Sequence, residues 1–200
     1  MDGMKNTLYK LLLFTSVLLI TGVGFGAMLV LVLDIDQRNQ LLDELSVFYG
    51  QVAAGPADIG WLSVLTDELK SLLLAWVLGL SCIGFPVILA FVFAKGLAVG
   101  FTVGFFVHQW SWQGVLLAAA SVLPHNLFFV PALIVAASAG IRFSLILLGL
   151  LLRKRSDQVR RQWLRYNGTM AAVGVLFIVG SLVETFVTVP LMDWIINIVT

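Results

Sequence analysis

The chain has 200 residues, 60% of them hydrophobic and only 12% charged, with a formal net charge of +1. A soluble domain carries about 25% charged residues, so this sequence lacks the polar surface that water demands, and lipid must be its main solvent. The small net charge hides a segregation, with acids crowded at Asp34, Asp36, Asp43, Glu44, Asp58, Asp67 and Glu68 and bases at Arg153, Lys154, Arg155, Arg160, Arg161 and Arg165, a pattern that orients a membrane protein and does not mark a nucleic-acid binder.

The predicted fold is an all-α polytopic membrane helix bundle, a single integral membrane domain over 1–200 with about five transmembrane helices. A helix needs about 20 apolar residues to cross about 30 Å of hydrocarbon. The first span is read at 11–33, longer than a signal-peptide core and followed by no Ala-x-Ala-like site, hence a retained anchor. A second runs from Lys70 to just before Lys95, about 70–94. The third, 96–110, ends in His-Gln-Trp-Ser-Trp-Gln, which sets Trp110 and Trp112 at headgroup level. The run 114–152 is interrupted by Pro124, Pro131 and Arg142 and is read as one crossing over 114–141, with a kinked or re-entrant segment within 114–152; residues 142–152 re-enter, lie at the interface or continue as helix. The last span, 168–192, is closed by Pro190 and Asp193.

Basic residues arbitrate the orientation. With the N-terminus inside, Lys5, Lys10, Lys95, Arg142 and the six bases of 153–165 are cytoplasmic, and only Arg38 and Lys70 lie outside. The expectation is therefore a multi-pass protein of the cell (inner) membrane, N-terminus in, C-terminus out.

Two segments leave the bilayer. In the acidic outer loop 34–69, Leu41, Leu42, Leu45, Phe48, Tyr49 and Val52 recur at helical spacing opposite Asp43, Glu44 and Gln51, which suits an amphipathic helix on the membrane or against the bundle. Leu41, Leu45 and Phe48 are its candidate partner-binding residues, and a Gly-Pro break at 55–56 precedes a second helical stretch. The basic inner loop 153–166 anchors the topology beside anionic lipid or docks a partner.

Gly96, Gly100 and Gly104 sit four apart in an apolar helix, with His108 one turn on. Such a stripe lets another helix backbone approach closely, either in a homodimer or within the monomer. Gly22, Gly24 and Gly26 are spaced by two and receive no role. Among intramembrane ionisable residues, which usually face protein, Lys95 can snorkel from the end of its span. Glu184 shares a small, polar face with Gly174, Phe177, Ser181 and Thr188. His125 follows Pro124, and His125 or Asn126 could bond the carbonyls freed at the kink. His125, Asn126, Glu184 and Thr188 thus form a candidate polar network, either structural or a proton or ligand site.

Catalytic and metal signatures fail. There is no His-Glu-x-x-His, P-loop or Gly-x-Ser-x-Gly, no aspartate inside a span, and the two histidines are too few for most metal sites. No enzyme, metal or cofactor is expected, and the lone Cys82 forms no internal disulfide.

Leu123-Pro124-His125-Asn126, then Val130-Pro131-Ala132 and Ala139-Gly140-Ile141-Arg142, resemble the central signature of the stage II sporulation protein M family, in which a Leu-Pro-His-Gly run precedes a Pro-Ala pair and a Gly-x-Arg. Glu184-Thr185-Phe186-Val187-Thr188-Val189-Pro190 is similar to its last-helix Glu-x-Phe-Val-Thr-Pro signature. The chain departs from the pattern at Asn126, where the family has glycine, at Phe129, where a glutamate is common, and at the extra Val189. The resemblance implies a membrane scaffold of the cell envelope, similar to the sporulation protein that helps to localise cell-wall hydrolases at the septum during engulfment. Envelope or cell-wall proteins and membrane lipid are its implied partners. The alternative from the residues is a permease-like subunit for transport or lipid handling, with helices kinked at Pro86, Pro124 and Pro131 lining a path past His125 and Glu184 and acting as a dimer or with an ATPase partner.

Overall fold

The computed structural model describes residues 2–54, 61–81, 83–153, 159–183 and 186. It is helical, without a strand among the described residues: α1 (Asp2–Leu29), α2 (Ile35–Ala54), α3 (Trp61–Gly79), α4 (Gly84–Arg153) and α5 (Val159–Val183), with a 3-10 turn at Val30–Val32. Backbone polar groups in lipid must be satisfied within the segment, which is why an apolar chain of this kind spans as helices.

The long α4 is two arms and not one rod. Ser111 takes φ 49° and ψ −120°, the mirror image of the first central residue of a type II turn, and there the chain reverses. Gly114 then lies so close to the Phe106 carbonyl that a Cβ would collide with it. The two arms, 84–110 and 112–153, run antiparallel, with the Phe85 amide at the Ser144 hydroxyl and Ile88 against Gly140. Residues 142–152 continue helically to Arg153 and do not re-enter.

Helix α1 runs parallel to the first arm. Gly96 meets Leu19, Gly100 meets Val23 and Gly104 meets Ala27, while from the other side Gly22 meets Phe93 and Leu97, and Gly26 meets Leu97 and Phe101. In lipid no hydrophobic drive pulls helices together, so close backbone approach and dispersion must hold this pair. Gly22 and Gly26, given no role from the sequence, are half of the seam; Gly24 between them faces open space.

Two parallel helices joined by one chain require a return crossing between them. Helix α3 supplies it. Its apolar part is short, Leu69–Gly79, beside four stretches long and apolar enough to cross alone, Thr7–Val32, Gly84–Pro124, Asn126–Leu150 and Arg160–Val183. Helix α3 is antiparallel to α5, with Leu72 at Gly174 and Trp76 at Asn167. Counting both arms of α4, the bundle has five helical segments, four of them in stretches long and apolar enough to cross a membrane. The predicted break at Lys95 is displaced to residues 80–83, so the second and third crossings are 61–79 and 84–110 instead of 70–94 and 96–110. The reason is local chemistry: Ser81, Gly84 and Pro86 end one helix and start the next. Pro86 consequently sits in the first turn, where its missing N–H costs nothing, and is not a kink.

The last helix begins earlier than predicted, at Val159 instead of 168, which absorbs much of the basic loop 153–166 into its first turns; the predicted end at 192 lies outside the described residues. The 55–56 break, Glu184 and Thr188 lie outside the described residues.

The core, at the crossing of α1, both arms and α5, combines small and aliphatic side chains such as Ala132, Ala136, Ala137, Val92 and Val173 with the aromatic rings of Phe129, Phe143, Tyr166 and Phe177. A side-chain hydrogen bond is buried inside it, between Thr15 and Ser138 at 3.0 Å. Replacing Gly100 by leucine is expected to cost about 1–3 kcal/mol through overpacking against the Val23 backbone. The same change at Gly24 removes nothing and gains helix propensity of up to about 1 kcal/mol. Thermal unfolding of both variants in detergent checks the contrast.

Candidate functional site

Three regions carry polar chemistry, one at each end of the bundle and one at its middle. They follow from the crossings just described, because Lys10, Arg142, Arg160, Arg161 and Arg165 all fall at one end and the acids of α2 at the other.

At the basic end, the residues joining α3 to α4 are held by side chains from two other elements. The Ser144 hydroxyl donates to the Ser81 carbonyl at 2.7 Å and accepts from the Phe85 amide at 3.2 Å. It thus caps an orphan donor in the first turn of α4 from across the bundle. The Tyr166 hydroxyl donates to the Trp76 carbonyl at 2.8 Å, near the end of α3, and its ring stacks on Phe143 at 4.7 Å. Trp76 donates its indole N–H to Asn167 at 3.0 Å. Gly79 has no room for a Cβ because the Tyr166 hydroxyl and Gly140 occupy that space. Beside this knot Arg142 donates to Gln162 at 3.4 Å.

At the middle stands Lys95. It lies eleven residues into the first arm of α4, about 16 Å from its start at 1.5 Å per residue, so it is at mid-depth and not at the end of a span. Its ammonium lies 5.4 Å from the Phe129 ring centre and 5.6 Å from that of Phe91. A half-buried cation over an aromatic face gains about 0.5–2 kcal/mol, which offsets part of the cost of placing the charge there. Phe129 in turn stacks on Phe177 of α5 at 5.0 Å. Phe129 is the position at which the resembled signature commonly carries glutamate. The sequence reading misses this cluster because it puts a helix break at Lys95; the Ser-Cys-Ile-Gly-Phe-Pro run at 81–86 was the available signal.

The other predicted intramembrane residues fall as follows. Pro124 and Asn126 lie in the second arm, and Asn126 donates its amide to the Val122 carbonyl at 2.8 Å, whereas the carbonyl that Pro124 leaves without a donor is that of Ala120. His125 is a helical position of the same turn, and its side chain lies outside the described ones, as do Glu184 and Thr188. Gly96, Gly100 and Gly104 face the backbone of α1, so within one chain this stripe is occupied.

At the far end stands α2. Leu41 is half-buried, and Leu45 and Phe48 are helical positions whose side chains lie outside the described ones. Asp36, Asp43 and Glu44 are exposed, and Val47 is 63% exposed. Among the described residues α2 packs along no other helix. Its first turns are tethered by Arg38, which donates to Nε2 of His108 at 3.0 Å. That bond requires Nε2 to be the acceptor and Nδ1 to carry the proton. His108, the residue that ends the glycine stripe, is therefore the link between the bundle and its outlying helix.

The family model of stage II sporulation protein M matches residues 15–189. The chain belongs to that family. No curated protein and no solved structure matches it. As a member of the stage II sporulation protein M family, it places the Gly-x-Arg of the signature, Gly140 to Arg142, at the basic end beside the Tyr166 knot, and the Leu-Pro-His run nearer the middle. It is a multi-pass membrane protein of that family.

Tyr166→Phe keeps the stack on Phe143 and removes the hydroxyl that bonds the end of α3. A loss of about 1 kcal/mol of stability is expected, read as a lowered Tm of the detergent-solubilised protein.

Proposed function

We propose that this chain is a non-enzymatic scaffold of the cell envelope, sitting in the cell membrane with its basic end in the cytoplasm and α2 on the outer side. The observation that carries the reading is α2 itself: an amphipathic helix, acidic on one face, held to the bundle at its first turns by Arg38 and His108 and packed along no other described helix. An amphipathic helix that packs along no other described helix is suited to lie against another protein or the headgroup layer. The bundle beneath it is closed by small-residue packing, which suits a rigid mount. Family membership agrees with this role, and by that kinship the client is a cell-wall enzyme. The cytoplasmic assignment of the basic end follows from the excess of Lys and Arg there.

In a crosslinking pull-down from native membranes, the wild type is expected to recover an envelope enzyme that the variant with Leu41, Leu45 and Phe48 made polar loses. Recovery of the same enzyme by that variant would sink the reading.

Lys95 supports a second reading, a permease-like subunit, because a charge at mid-depth is a feature of transport pathways. Such a subunit would need a second copy or an ATPase partner. Its sign is solute flux in proteoliposomes that Lys95→Met and Glu184→Gln both abolish; a scaffold shows no flux in either form.

A further inference from the structure

A cleft of about 190 Å³ opens at the basic end between α1, the second arm of α4 and α5. Its polar half is formed by Arg142, Gln162, Arg165 and Thr169, and its apolar half by Leu8, Leu12, Val135, Ala139 and Ile146. No lining residue is acidic. Gln162, Arg165 and Thr169 share one face of α5, at spacings of three and four, and Arg142 faces them from α4.

The electrostatics of the cleft are unbalanced. Arg142 is half-buried, lines the cleft and directs one of its five N–H donors to Gln162. Among the described residues no carboxylate pairs with Arg142 or Arg165. Two guanidiniums beside the Gln162 amide favour a phosphate, which accepts two parallel bonds from each arginine fork; the Thr169 hydroxyl donates to the Arg165 carbonyl at 2.9 Å and adds only a polar wall.

The position decides the source of that phosphate. Every lining residue belongs to a membrane-spanning stretch, Thr7–Val32, Asn126–Leu150 or Arg160–Val183. The apolar half runs along α1 toward the bilayer interior, where a soluble anion has nothing to bury. We infer that this cleft holds one anionic phospholipid, its phosphate between Arg142 and Arg165 and an acyl chain against Leu8, Leu12 and Val135. The inference is independent of the scaffold reading, since it needs no partner protein.

The test uses the full chain in detergent, with phosphatidylglycerol, phosphatidylcholine or inorganic phosphate added, and reads bound lipid by native mass spectrometry and Tm by thermal unfolding. Phosphatidylglycerol is expected to remain bound and raise Tm, and phosphatidylcholine and phosphate to do neither. The variant carrying Arg142→Gln and Arg165→Gln should retain at least about tenfold less, since the loss of even one charge-assisted bond is worth that much. Arg160→Gln with Arg161→Gln, on the exposed start of the same helix, should retain as much as the wild type. Leu12→Trp, which fills the apolar half and leaves both arginines, should lose the lipid as well, so the idea stays testable if the arginine variant does not fold. Equal retention of phosphatidylcholine, an equal effect of inorganic phosphate, or an equal loss from the Arg160 and Arg161 pair would overturn it.

Discussion

The seam between α1 and the first arm of α4 governs the rest of the structure. Five glycines from two helices remove the Cβ atoms that would keep the backbones apart, and the two helices close on each other's carbonyls. In lipid that proximity is the available source of adhesion, since side chains exchange one apolar surrounding for another. The parallel sense of the pair has a topological consequence. The chain between them must come back across the membrane, so the modestly apolar α3 is drawn into the bundle, where it packs on α5 and is tied down by Tyr166, Asn167 and Ser144 near its end.

The hairpin in α4 depends on the same close packing. Ser111 adopts a positive φ that favours glycine, and Gly114 permits the two arms to meet. Strain of about 1–3 kcal/mol at such a residue persists only where surrounding contacts over-determine it. Here they are the antiparallel contacts of the arms, from Ile88 at Gly140 through Lys95 at Phe129.

The two ends of the bundle are built differently. The basic end is rich in cross-element hydrogen bonds and carries the cleft lined by Arg142 and Arg165. The far end carries the bond from Arg38 to His108, below a helix that packs along no other described helix. A firmly mounted bundle carrying a lightly tethered amphipathic helix is the physical content of the scaffold reading. Lys95 belongs to neither end; its charge at mid-depth is partly compensated by the faces of Phe91 and Phe129.

Composition and hydrophobic run length by themselves determined the helical membrane class, about five crossings, the segregation of charge and the amphipathic character of 35–54, because each depends on averages along one segment. The family was legible as well, since its motifs are contiguous in the chain. Tertiary structure decided what lies between segments. Gly22 and Gly26 looked unremarkable with Gly24 between them, and only the approach of the first arm shows which two face a partner. Lys95 marked a span end by charge alone, while Ser81, Gly84 and Pro86 set the break between Gly79 and Gly84; what tertiary structure added is the Ser144 hydroxyl that holds Ser81 from 63 residues away, and the rings of Phe91 and Phe129 that receive the lysine. Likewise Arg142 and Arg165 are ordinary basic residues in the sequence; a cleft exists because three helices meet around them, and pairwise packing of that kind leaves no trace in local periodicity.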